Sequence, residues 1–175
     1  MQEKAIEFPL YIISLFIIFS ILLTATCRKN EKSETNPILT VTGRNSEMHN
    51  IQTAALARLP EFIRKLQTPA KDEYDFQVKY PIKTEETSSF EYEYIWLKNI
   101  TFREGRYFGI IANEPLYNKK FRIGNEMEFF MDDIADWMYR KGNYIEGGAS
   151  IKHLIEKIPP HERSKKLNDY LKLFR

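Results

Sequence analysis

Apolar side chains recur at Met48, Ile51, Ala55, Leu59, Phe62 and Leu66, in steps of three and four. That is the stripe of an amphipathic helix over residues 46–67, with Ser46 placed to cap it. Pro60 falls inside the stripe, so the segment is either one helix kinked there or two short helices, the second using Pro60 in its first turn. The period then changes to two. Tyr74, Phe76, Val78 and Tyr80 alternate with Asp75, Gln77 and Lys79, the pattern of a half-buried strand, and Pro81 is expected to end it. Phe90, Tyr92, Tyr94 and Trp96 repeat the alternation, which runs on through Ile100 and Phe102. Glu104-Gly105 then supplies the turn into a return strand over residues 106–112. That return strand is apolar on both faces, which predicts an interior place in the sheet, with Gly109 marking a close approach by a backbone or a ring.

A further strand is expected from Met127 through Phe129 to Met131, after the Gly124-Asn125 turn. A hairpin joins Trp137–Tyr139 to Tyr144–Glu146 across Lys141-Gly142-Asn143. Residues 150–158 form a helix. After Pro159-Pro160, a last helix carries Leu167, Tyr170, Leu171 and Phe174. The sum is an α+β domain over residues 46–175: about five or six antiparallel strands in a curved sheet, one face covered by an N-terminal and a C-terminal helix.

Ahead of this domain the pattern is different. From Phe8 to Thr26 there is no charged side chain, and about 19 apolar residues are just enough to cross a hydrocarbon core as a helix. Thr24-Ala25-Thr26 precede Cys27, the one cysteine of the chain, and this resembles the lipobox of bacterial lipoproteins, in which such a cysteine carries the lipid. The first reading is therefore a lipoprotein signal over residues 1–27, lipidated at Cys27. The second is an uncleaved single-pass helix. Arg28, Lys29 and Lys32 lie beyond the apolar run, so that helix would place the domain in the cytoplasm. Residues 28–45 are polar, with Pro37 and Gly43 interspersed, and read as a flexible linker between membrane and domain.

Composition narrows the function classes. Twenty-six basic against 24 acidic side chains leave a net charge of only +2, so nucleic-acid binding is not expected. A single cysteine excludes an intramolecular disulfide and a cysteine-based zinc site within one chain. No G-x-S-x-G turn or phosphate-cradling glycine loop occurs, and His49, His153 and His161 are dispersed over the terminal helices without metal-ligand spacing.

The landmarks taken in order are Phe76-Gln77-Val78-Lys79, Tyr94-Ile95-Trp96-Leu97, Gly109-Ile110-Ile111-Ala112-Asn113-Glu114-Pro115, Gly124-Asn125, Ile134-Ala135-Asp136-Trp137-Met138-Tyr139 and Gly147-Gly148. Over residues 47–154 this series resembles the YegJ-like bacterial family called domain of unknown function 2314. It departs from that family at Tyr94, where many members carry His, and at Ala149, where an aromatic commonly follows the glycine pair. The resemblance implies the fold and often a lipoprotein address, and no catalytic residues.

Among candidate binding residues, Asn113 and Glu114 stand first, because a strand ending in a polar pair fixed by Pro115 presents two side chains at a sheet edge. Against this, Asn113 bonding its own backbone makes a plain turn. Asp132, Asp133 and Asp136 are close enough in sequence to converge, with Glu114, on a cation or a shared proton. The structural alternative has an aspartate before Ile134 capping a helical turn and Asp136 accepting amide hydrogen bonds at a corner. Trp96 and Trp137 read as core, and the seven Lys or Arg against three Asp or Glu over residues 152–175 as the solvated face of the last helix. The expected function is a non-enzymatic binding module of the cell envelope, without cofactor, metal or catalytic residue, touching the membrane through its N-terminal segment and a protein partner not specified by sequence. The alternatives are an immunity-type inhibitor that holds a toxin through an acidic surface, and a small enzyme using carboxylates near Glu114 and Asp136.

Overall fold

A computed structural model describes residues 46–85 and 91–175, all within one compact unit, Leu39–Arg175. The expected membrane segment, Cys27, the linker, Ser88-Ser89 and Phe90 lie outside the described residues. Among the described residues, no helix is long and apolar enough to cross a membrane.

The first stripe forms two helices, α1 (Ser46–Ala57) and α2 (Leu59–Gln67), with Pro60 in the first turn of the second, where its missing N–H costs no helical bond. The strands are β1 (Glu73–Lys83), β2 (Tyr92–Arg103), β3 (Arg106–Ile111), β4 (Glu126–Phe129), β5 (Asp136–Lys141) and β6 (Tyr144–Gly147). They make one antiparallel sheet in the order β4-β3-β2-β1-β5-β6. Helices α3 (Ala149–Lys157) and α4 (Lys165–Leu171) follow. β4 is shorter than expected, since Met131 belongs to a 3-10 turn, Met131–Asp133.

The β2–β3 hairpin turns at Glu104-Gly105, with φ of 51° and 78°, the left-handed pair that matches strand twist. Asp75 and Asn99, each at φ 52°, sit at the register breaks of β1 and β2. Asp and Asn tolerate this conformation, and the paired bulges coil the middle of the sheet.

Pro81 does not end β1. The Thr84 N–H donates to Glu91 O, so even-numbered positions of β1 face β2 and the prolyl nitrogen faces the other way. On that side the pairing with β5 ends at Lys79↔Asp136. No ladder bond is lost, and the strand continues to Lys83.

The sheet is covered on both faces, not on one. On the first face Val78, Ile82, Ile95, Leu97, Ile111 and Trp137 pack with Phe62 of α2. The Phe62 and Trp137 rings lie 5.2 Å apart, and the Trp137 indole N–H donates to Ala55 O at 2.8 Å. On the second face Tyr170 and Leu171 of α4, with Phe174 beyond it, pack on Met138, Ile145 and Trp96. Leu173 and Arg175 exchange backbone bonds with Ile145, so the chain straps the free edge of β6. Gly147 and Gly148, at φ 80° and 66°, turn the chain from β6 into α3, and a Cβ on Gly148 would stand 2.7 Å from the Phe174 ring.

β2 buries the phase opposite to the one read from sequence. Ile95 and Leu97 are fully buried in the first core, whereas Tyr92 and Tyr94 are 48% and 46% exposed on the second face beside Trp96. Aliphatic side chains lose nothing polar by burial, while tyrosine keeps its hydroxyl in water.

Candidate functional site

The row Asp136, Lys79, Trp96 crosses β5, β1 and β2 on the second face. Asp136 is wholly buried. Its Oδ1 accepts the Trp137 N–H and its Oδ2 the Ser150 N–H, both at 2.8 Å, and the Ser150 hydroxyl bonds it as well. Ser150 is the second residue of α3, so Asp136 caps that helix from a neighbouring strand. The Lys79 ammonium donates to Ser150 Oγ at 3.1 Å and lies 5.4 Å from the centroid of the Tyr94 ring.

Burial pushes the Asp136 carboxyl above its ordinary value, against the pull of its bonds to Ser150 and Trp137 and of the Lys79 charge. Burial likewise holds the Lys79 amine below the usual lysine range, with the charge of Asp136 opposing. Ser150 and Asp136 have no exposed surface, so no substrate reaches either. What the cluster does is hold Lys79 rigidly beside Tyr94, which does reach solvent.

Asn113 accepts the Trp96 N–H on its Oδ1 at 2.7 Å, bonding β2 and not its own backbone. Glu114 Oε2 accepts the Ile123 N–H at 3.3 Å and closes a loop. That loop is held further by Glu93, whose carboxylate accepts the N–H groups of Leu116, Tyr117 and Asn118 at 2.7, 3.1 and 2.9 Å. Asn118 in turn donates to Lys83 O at 2.8 Å. Asp133 is exposed at the end of its 3-10 turn; the cap position is Phe130, without a side-chain bond.

The expected carboxylates are not brought together. Asp136 is buried at the α3 terminus, whereas Glu114 is exposed and closes the loop at Ile123. Among the described residues, no three His, Cys, Asp or Glu side chains stand close enough to hold a metal ion.

Lys79, Ser150 and Glu93 were not singled out by the sequence. Lys79 and Ser150 lie 71 residues apart, and Lys79 sits in the polar phase of a strand that looks like a plain solvated face. Only the packing of α4 and α3 against that face gives it a neighbour worth noticing.

The sequence model of the bacterial family described as "Uncharacterized protein conserved in bacteria (DUF2314)" matches residues 45–170. A relative, "Uncharacterized protein YegJ" of Escherichia coli (strain K12), is 36% identical over 92 residues, which cover 53% of this chain and 58% of the relative. The matched region thus spans little more than half of the relative's length. No solved structure matches the chain. The family match covers the whole sheet and all of its helices but the last residue of α4, and the chain belongs to the bacterial DUF2314 family.

Proposed function

We propose that this protein is a non-enzymatic binding module, tethered to the bacterial envelope by residues 1–27 and presenting the open half of its second sheet face to a partner. One observation carries the reading. Tyr92 and Tyr94 stand exposed in the middle of the sheet, while the neighbouring half of the same face is covered by α4 and the C-terminal strap. Large aromatics with accessible hydroxyls are what binding surfaces are enriched in. Here the platform is braced from beside, on the same face, by Lys79 held against the buried Asp136 and Ser150, which lowers the ordering cost of association. Among the described residues, Lys79 and Lys83 stand opposite Trp96 and Tyr92 across the strand pair and the one carboxylate beside the tyrosines, Glu91, is bonded by the Tyr92 hydroxyl, so a toxin-holding acidic surface finds little support on this face.

The test is footprinting by hydroxyl radicals, with the full chain in membranes of the producing bacterium and again after purification in detergent. Tyr92 and Tyr94 are expected to be labelled several-fold less in the membranes, with Tyr74 and Tyr144 unchanged as exposed controls. Equal labelling of Tyr92 and Tyr94 in both states would defeat the reading. The tether is tested separately by lipid labelling: Cys27→Ser should abolish incorporation and leave an unprocessed precursor. A wild type that takes up no label leaves the uncleaved helix as the anchor.

A further inference from the structure

We infer that the open face takes an extended acidic peptide segment of a partner protein, an inference that rests on the binding-module reading above. Strand register places Lys79, Pro81 and Lys83 of β1 beside Trp96, Tyr94 and Tyr92 of β2, with Lys98 further along the same phase. Between these positions no carboxylate stands on the face among the described residues. Asp136 is buried, Glu126 and Glu128 are bonded to Arg103 and Arg106, Glu91 at the rim is taken by the Tyr92 hydroxyl, and Glu85, exposed just past the end of β1, accepts the Lys119 N–H. Lys83 and Lys98 are exposed and form no ion pair among the described residues. The face is thus cationic and aromatic together, which selects an anionic partner with apolar groups.

Shape narrows the class. α4 and the strap rise from the adjoining half of the face, packed on Trp96 and Met138, and a helix with its side chains is about 10 Å thick. A flat bilayer cannot settle onto a floor beside such a step, whereas a single chain lies along it. Tyr92 and Tyr94 are two residues apart on one strand, hence about 7 Å, the same repeat at which an extended peptide points alternate side chains one way. Apolar side chains at two successive same-side positions then meet the two rings, and carboxylates at the same-side positions flanking them reach Lys83 and Lys98.

The experiment uses the full chain in a nonionic detergent and a fluorescein-labelled 12-residue peptide carrying Leu at two successive same-side positions, Glu at the same-side positions on either side of them and Ser between, read by anisotropy. Expected is saturable binding that weakens at least about tenfold in Tyr94→Ala and in the Lys83→Gln/Lys98→Gln pair, and about as much when Gln replaces Glu in the peptide. These residues are exposed, and unchanged melting of each variant verifies the fold. The inference is overturned if the peptide fails to bind, if Tyr94→Ala binds it as well as wild type does, or if oligo-dT or phosphatidylglycerol vesicles compete for the same tyrosines more strongly than the peptide. Failure of the peptide with the membrane footprint intact removes the acidic partner alone; loss of the footprint removes the binding module as well.

Discussion

Replacing Asp136 by Asn separates a structural from a functional role for the one carboxylate that is fully buried on the second face among the described residues. The two Asp136 oxygens accept two amide N–H groups at 2.8 Å each. Asn offers one oxygen, and its NH2 points at an N–H that has no other acceptor. One buried donor left unmatched costs about 1–3 kcal/mol. Loss of the counter-charge to Lys79 adds to this, reduced because Lys79 is partly exposed and because the neutral amide escapes the burial penalty of the carboxylate. A net loss of about 3 kcal/mol lowers the melting temperature by about 10 °C in a domain of this size.

The pH dependence gives a second reading of the same group. The fold raises the Asp136 pKa above its ordinary 3.8, so the folded chain holds that proton more tightly than the unfolded chain does. Its contribution is complete below 3.8 and lost as pH rises through the raised folded value. The stability gap between wild type and Asp136→Asn is therefore largest in acid and narrows upward through that window. Urea unfolding at a series of pH values measures it. A variant melting within two degrees of wild type would refute the account of Asp136 as an acceptor for the α3 terminus, and a gap that widens with pH would refute the raised pKa.

Other expectations follow from single contacts. Trp137→Ala removes a fully buried ring and its 2.8 Å bond to Ala55 and should cost about 3–5 kcal/mol by urea unfolding. Glu73, bonded by the Ala70 N–H and by Lys65 with Lys141 nearby, has its pKa held below the ordinary 4.5. Its contribution is present above 4.5 and lost as pH falls through the lower folded value, so the wild-type advantage over Glu73→Gln should shrink in acid, opposite in sign to Asp136. Glu114→Gln, which disturbs one 3.3 Å bond at an exposed loop, should melt within about 0.5 kcal/mol of wild type and leave the Tyr92 and Tyr94 footprint unchanged.

The sequence made the element types plain wherever one phase of a period was apolar and the other polar, as in α2 and in the first half of β1. It was ambiguous in β2, where Tyr92, Tyr94 and Trp96 compete with Ile95 and Leu97, and two-residue periodicity gives both phases equal claim. Which one enters the core depends on α2 and Trp137 arriving on the opposite side, contacts made over long sequence separation. Pro81 looks like a stop in sequence because nothing local shows where the neighbouring strands end; a proline is tolerated where the next strand has already ended. Asp136 as a corner acceptor was legible from its place before an apolar strand. Its link to Lys79 was not, since nothing local in either segment marks the other.

Pro81 also constrains how a partner can be read at this position. On its β5 side, β1 runs on past the last pairing with β5, a short margin of backbone in the interior of the sheet order whose far end, Lys83 O, already accepts the Asn118 amide. Such a margin ordinarily invites main-chain templating by an incoming strand, which recognises little of the guest's sequence. With no N–H at Pro81, that route lacks a donor where it would begin. Recognition beside Tyr94 is thereby left to side chains, and what binds there must be chosen by its residues and not merely by being extended.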